Sequence, residues 1–219
     1  VVIEDQATIP GWVSDLESFR RWTRADDYPE RGESAYLQNV LWVDLSPEEL
    51  WSHNQVKVAF AAALESLNLA QGVGLVVGHG MRLSAPAAEL SVEPDLLFFR
   101  WATLESGRLR LVEGARGGVI ELEGTPDVVL EIVSASSVAK DTVRLRELYA
   151  RAEVPEYWLV DARGETPHFE ILRHTPAGYV PAEADGDWQT SAVFGHAFRL
   201  IRRAGPLGHP LFVVESRPV

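Results

Sequence analysis

The sequence has no cysteine, and only two of its 20 basic residues are lysines, Lys57 and Lys140. Without cysteine there is no disulfide framework, no thiolate nucleophile and no Cys-ligated zinc or iron–sulfur site, and a reducing, cytoplasmic location is the default expectation. Positive charge is scarce too: 20 Lys and Arg face 32 Asp and Glu, for a net charge of −12. Such a chain repels polyanions at long range and lacks the basic footprint of a nucleic-acid binder. Long apolar runs are absent. The longest, Val58–Leu64 and Tyr157–Val160, fall far short of the ~20 residues of a membrane helix, so a soluble protein is expected. The opening Val1-Val2-Ile3-Glu4-Asp5 has no basic or apolar leader region and no initiator Met. No signal peptide is therefore predicted, and the numbering reads as starting inside a trimmed chain. There is no internal repeat, low-complexity tract or composition shift to mark a linker.

What is present reads as one domain, at 219 residues and 46% hydrophobic, long enough to bury a substantial core. Residues 1–36 are polar and aromatic-rich and form a helical or loop extension, with an amphipathic helix over Val13–Thr23 carried by Leu16, Phe19 and Trp22. Residues 37–219 form the main domain. Leu37–Leu45 reads as a strand, and Ser46-Pro47-Glu48-Glu49 as an N-cap followed by Pro at the first helical position, opening a helix that runs to about Leu69. Val73–Val77, Met81–Ser84, Pro94–Trp101, Leu109–Val112 and Val119–Leu122 predict a meander of strands. Glycines 72, 74, 78 and 80 read as a hairpin with close backbone approach. The strongest strand covers Asp127–Val133. Ser136 or Ser137 then caps a helix over Val138–Ala152, and Glu156–Asp161 pairs with His168–His174. Short strands follow near Tyr179, Phe198–Ile201 and Leu211–Val214. The order predicts an α+β fold with a mixed sheet and helices packed on it.

Alternation puts Asp127, Val129, Glu131 and Val133 on one strand face and the wholly apolar Val128, Leu130 and Ile132 on the other. Glu131 thus lies mid-strand among apolar neighbours, where an ionised carboxylate is costly unless paired or bound to a metal. It is either a salt-bridge partner of one of the 18 arginines, or a metal ligand or general base. Asp95 follows Pro94 at the start of another strand, as a turn residue or a second ligand. Two carboxylates on neighbouring strands would suit Mg²⁺ or Mn²⁺, and hydrolysis of a phosphodiester requires such a site. In the metal-free protein the two should repel, so that Asp95→Asn and Glu131→Gln would each relieve strain. Asp127 shares the face of Glu131 and reads more simply as a strand-start residue.

Pro94-Asp95, Pro126-Asp127-Val-Val-Leu-Glu131-Ile-Val-Ser134, Asp141, Tyr149 and Val154-Pro-Glu-Tyr157-Trp158-Leu-Val-Asp161 resemble the Uma-two family of endonucleases, within the PD-(D/E)XK, restriction-endonuclease-like superfamily. The similarity extends more loosely from the Val13–Trp22 segment through Ser191–Gly195 to Phe198–Leu200. It implies a restriction-endonuclease-like mixed sheet flanked by helices. It also implies a divalent metal, Mg²⁺ or Mn²⁺, held by Asp95, Glu131 and the carbonyl of Ile132, and a DNA substrate cut by a homodimer. Three positions depart from the superfamily pattern. The lysine expected two residues after Glu131 is Val133. The alternative lysine position on the next helix is Leu145. The first-helix Glu is matched by Asn54 in His53-Asn54-Gln55-Val56-Lys57. Lys140, beside Asp141, is the remaining candidate for the charge-stabilising catalytic lysine, although helical spacing sets it with Arg144, Glu147 and Arg151 on a wetter face than that of Asp141, Leu145, Leu148 and Ala152.

The leading expectation is a metal-dependent endonuclease with Asp95, Glu131 and Lys140 at its centre. Val133, Leu145, Asn54 and the charge of −12 favour a catalytically weakened nuclease-fold binding protein as the alternative, and a hydrolase of small phosphate esters would escape the electrostatic difficulty. A nucleic-acid enzyme of this charge must gather arginines at its cleft, with Arg144, Arg146 and Arg151 the nearest in sequence.

Overall fold

The computed structural model describes residues 9–26, 28–29, 32–115 and 117–219; the amino-terminal Val1–Asp5 read above for a leader lies outside them. Among the described residues, sixteen strands alternate with four α-helices. In chain order the strands are β1 (Glu33–Leu37), β2 (Leu41–Asp44), β3 (Gly74–Gly78), β4 (Arg82–Ala85), β5 (Leu90–Val92), β6 (Leu96–Arg100), β7 (Leu109–Glu113) and β8 (Val119–Gly124). There follow β9 (Val128–Ile132), β10 (Glu156–Asp161), β11 (His168–Thr175), β12 (Gly178–Pro181), β13 (Ala184–Asp185), β14 (Trp188–Ser191), β15 (His196–Ala204) and β16 (Pro210–Pro218). The helices are α1 (Leu16–Thr23), α2 (Val56–Gln71), α3 (Trp101–Glu105) and α4 (Arg146–Arg151), and π-helical turns lead into α2 (Leu50–Gln55) and α4 (Lys140–Leu145).

The strands form three sheets. A central sheet runs β12-β11-β10-β9-β6-β3, a second β2-β1-β5-β4-β8-β7, and a third β13-β14-β15-β16. In the central sheet β9 is parallel to β10 and antiparallel to β6. Mixed pairing is as expected, but the five strands predicted as a meander divide between two sheets. β3 pairs with β6 in the central sheet, whereas β4 pairs with β5 and β8 in the second. The glycine-rich stretch is therefore a crossing between sheets rather than a hairpin, and Gly80 at φ +91° makes the turn. The close approach is real at Gly74, where a Cβ would stand 2.2 Å from the Phe99 carbonyl oxygen.

Alternation along β9 assigns its two faces to two cores. Val129 and Val133 join Leu97, Phe99, Tyr157 and Leu159, covered by Leu145, Leu148 and Tyr149 and by the second sheet. Val128, Leu130 and Ile132 join Phe98, Trp158 and Val160, covered by Val56, Phe60 and Leu64 of α2 and by Phe194, Phe198 and Phe212. With both faces buried, a near-continuous hydrophobic run is what a central strand with a parallel neighbour requires. The amino-terminal segment is tied to this body: Arg20 of α1 donates to Glu121, at 2.6 Å, and to Glu123 of β8, while β1 pairs with β5.

Asp127 is structural. One carboxylate oxygen accepts from the Arg100 amide (2.8 Å) and the Thr103 hydroxyl (2.5 Å), the other from Arg108. It thereby fixes the turn from β6 into α3, a turn that the single strand expected over Pro94–Trp101 does not contain. Asp127→Ala removes these acceptors from a buried position and is expected to cost about 2–4 kcal/mol, read as an earlier midpoint in urea unfolding.

Candidate active site

The register of β6 on β9 pairs Leu96 with Leu130 and Leu97 with Val129. Continuing it by one residue sets Asp95 opposite Glu131, with both side chains on one face, and opposed Cβ atoms in an antiparallel pair lie only ~4.5–5.5 Å apart. The two carboxylates are held differently. Asp95 Oδ2 accepts from the Ile132 amide at 2.8 Å, which clamps the head of β6 to the end of β9. Lys57 Nζ lies 3.0 Å from Asp95 Oδ1, and His53 Nε2 lies 3.4 Å from Oδ2. Burial alone would push the Asp95 carboxyl up, but His53 and Lys57 outweigh it and hold the group well below the usual range. Glu131, only 2% exposed, accepts from the Tyr149 hydroxyl at 2.6 Å. Here burial wins over the attraction of Lys140, with Asp141 and Asp95 adding to it, and the carboxyl is pushed well above its usual value. The expected repulsion thus falls on Glu131 alone, since Asp95 is already charge-paired.

Lys140 is buried, 9% exposed, and not on a wet face. Its Nζ lies 3.0 Å from Asp141 Oδ1 and 4.6 Å from the centre of the Trp42 ring. Two things defeat the simple helical spacing. The turn carrying Lys140 is π-helical, and β2 brings Trp42 over the face that would otherwise be solvated. Burial lowers the lysine's affinity for its proton, but Glu131, Asp141 and Glu33 outweigh that and keep the ammonium charged far above neutrality. Asp141 is held through one oxygen by the Ser137 hydroxyl, while its Oδ1 meets the Lys140 ammonium without a well-directed hydrogen bond. Leu145, at the alternative lysine position, is fully buried in the core.

The helix before α2 starts later than expected. Glu49, not Ser46, is its N-cap, accepting from the Ser52 amide, and Ser46 instead donates to Asp44. The delay leaves Glu48 outside the helix and turned to the site, where its carboxylate accepts from His53 Nδ1 (2.8 Å), Asn54 Nδ2 (2.7 Å) and Lys57. Burial would raise its pKa, but Lys57 and Asn54 bring it down to about 2. Asn54 therefore does not stand in for a missing acid; it orients one. Glu48, His53 and Asp95 each offer a ligand atom to a group spanning no more than 4.8 Å.

These residues line a cleft of about 950 Å³, shared by Glu33, Asp44, Glu93, Asp141 and the Ser134–Ser137 turn. Ile132 reaches the cleft although its side chain belongs to the opposite core, so it contributes main chain. Lys140 and Arg163 also line it, whereas Arg144, Arg146 and Arg151 do not. The donor set fits a divalent cation: two opposed carboxylates, the main chain of Ile132 at the cleft wall, and an imidazole nitrogen.

A family model described as "Putative restriction endonuclease", Uma2, matches residues 16–201. The chain belongs to the Uma2 family. A crystal structure of "a putative nuclease belonging to DUF820" from Anabaena variabilis ATCC 29413 superposes with a TM-score of 0.59 over 82% of this chain and 90% of that one, at 15% identity. That likeness shows a shared α+β nuclease fold. No curated protein matches the chain. Among the described residues no helix is long and apolar enough to cross a membrane.

In this Uma2 chain the structure brings Asp95, Glu131, Ile132 and Lys140 to one cleft and leaves Asp127 at the other end of β9. It adds Glu33, Glu48 and His53, with Lys57 set against Glu48 and Asp95, all of which sequence reasoning missed. The signal that could have found Lys57 is rarity, since both lysines of the chain meet cleft carboxylates.

His53 supplies a pH test. Burial opposes its protonation, but Asp95 and then Glu48 raise its pKa from 6.5 to about 9. A group raised on folding stabilises fully below its unfolded pKa and loses that contribution as pH climbs through the folded value. The metal-free protein should therefore lose about 2–3 kcal/mol between pH 6.5 and 9. Thermal melts across that range should show the loss, and His53→Gln should flatten it.

Proposed function

We propose that the protein is a metal-dependent endonuclease, hydrolysing phosphodiester bonds of DNA with Mg²⁺ or Mn²⁺ held by Asp95, Glu131 and the Ile132 carbonyl. The single observation that carries this reading is the opposition of Asp95 and Glu131 across β6 and β9, with a buried, charged Lys140 in the same cleft. Membership of Uma2 supports it independently. A divalent cation bound there supplies Lewis-acid stabilisation and a more acidic water.

The protein's own residues do the rest. The Ile132 amide fixes the Asp95 carboxylate, and the Tyr149 hydroxyl fixes that of Glu131, so neither must be ordered when substrate arrives. Lys140 is held between Asp141 and the Trp42 face. Because its proton is retained well above neutral pH, it acts as a fixed cation toward developing phosphate charge and not as a proton acceptor. The reading extends, by analogy with restriction-endonuclease-like enzymes, to a cytoplasmic homodimer in which residues 37–219 form the bulk of the nuclease domain and the 1–36 extension completes it with α1, most of β1 and Glu33 of the cleft.

One observation favours a second reading. The cleft lining is rich in carboxylates and offers Lys140 and Arg163 as its strong cations, which suits a small phosphate ester better than a long polyanion. Salt dependence separates the two: each phosphate neutralised on duplex DNA contributes ~0.9 to the slope of log K against log salt. A slope near zero, with turnover of small phosphodiesters, would favour the small substrate.

Cleavage of plasmid and short duplex DNA by the purified protein with Mg²⁺ or Mn²⁺ is the primary test. Glu131→Gln should abolish cleavage while leaving stability unchanged or higher, since the charge removed is one that burial disfavours. Asp95→Asn should also abolish cleavage but lower stability, by about 2–4 kcal/mol, because His53 and Lys57 lose their counter-charge. Lys140→Ala should slow cleavage roughly 10²–10³-fold. Cleavage at the wild-type rate in all three variants would overturn the assignment.

A further inference from the structure

We infer that His53 is a nitrogen ligand of the same metal ion as Asp95, and that it makes the site prefer Mn²⁺ to Mg²⁺. This rests on the metal-dependent reading above and goes beyond the all-oxygen set of Asp95, Glu131 and Ile132. A cation that binds there displaces the proton that Nε2 carries toward Asp95 in the metal-free state and releases it to solvent, after which the two ring nitrogens have separate tasks. Nδ1 is bonded to Glu48 Oε1 at 2.8 Å, which fixes the ring and turns Nε2 toward Asp95 Oδ2, 3.4 Å away. That oxygen already receives the Ile132 amide at 2.8 Å. A carboxylate on the far nitrogen of an imidazole is how metal-ligating histidines are held, since it sets the tautomer and raises ligand basicity.

The surroundings agree. His53 is buried, and it sits on the π-helical turn Leu50–Gln55; π-turns occur often at functional sites. Asn54 and Lys57 both donate to Glu48, so the orienting carboxylate is itself oriented. Lys57 also touches Asp95, so in the metal-free state an ammonium holds part of the charge a cation would neutralise. Ligand chemistry then chooses the ion. Mg²⁺ takes carboxylate, carbonyl and water oxygens, while imidazole suits first-row transition metals; Mn²⁺ accepts both oxygen and imidazole donors. Glu48 is accordingly a positioning residue, and His53 the ligand that sets preference.

The probes are Mn²⁺ and Mg²⁺ alone, titrated into the whole protein, with free Mn²⁺ read by electron paramagnetic resonance and Mg²⁺ by calorimetry. Wild-type protein should bind Mn²⁺ at least about ten-fold more tightly than Mg²⁺. His53→Gln should weaken Mn²⁺ by roughly 10–100-fold while changing Mg²⁺ by less than about three-fold, and Glu48→Gln should weaken Mn²⁺ by about ten-fold. Lys57→Met should strengthen both ions. Pulsed EPR of the Mn²⁺-loaded wild type reads the same point without any variant: a directly coupled ¹⁴N is expected. Its absence, or an unchanged Mn²⁺ to Mg²⁺ ratio in folded His53→Gln, would overturn the ligand assignment and leave the nuclease reading standing. Failure of the wild type to bind either ion would overturn both.

Discussion

A carboxyl group near the end of a central strand with a hydrophobic core on each side is the constraint from which the rest of the site follows. Glu131 is almost wholly shut off from water although it borders the cleft, and burial drives it away from ionisation. Its position is tolerable because Tyr149 donates to it and because the Lys140 ammonium is near. Both partners come from the helical segment that crosses from β9 to β10. That connection is the right length for a parallel pair, and its first turn is wound as a π-helix where it meets the cleft. One crossover therefore serves both the topology of the sheet and the charge balance of its central strand.

Asp95 solves the opposite problem. It sits just ahead of β6, and cations supplied from the segment that opens α2 keep it ionised. One site therefore contains two carboxylates whose environments push their proton affinities apart. Such divergence is a recurrent mark of functional sites, where groups of one chemical type must play different parts.

Much of this is legible in the sequence. Period-two alternation in Asp127–Val133 correctly assigns both faces of β9, and the improbability of a mid-strand glutamate is enough to single out Glu131. The run from Asp127 to Asp161 carries the likeness to the family. Where tertiary cover falls is not legible. Regular helical spacing makes Lys140 look solvated, and nothing local says that Trp42, some hundred residues earlier, lies over it. Glu48, His53 and Lys57 are hidden in the same way: Pro47 suggests a helix start, and only the later cap at Glu49 releases Glu48 toward the cleft. The arginines nearest in sequence lie elsewhere, since sequence proximity to a motif says little about which rim of a sheet a residue occupies.

The cleft draws on β1, the turn before α2, the head of β6, the end of β9 and the start of the α4 segment. β1 and β2 reach it as a local hairpin, but β6 and β9 come from separate stretches of the chain and the β9–β10 pairing is parallel. Contacts of this sequence separation form late, after loop-closure entropy has been met. During synthesis the chain must therefore emerge almost to β10 before the central carboxylates acquire their neighbours. A nascent or partly folded chain lacks the assembled cleft, and whatever chemistry the cleft performs becomes a property of the folded molecule.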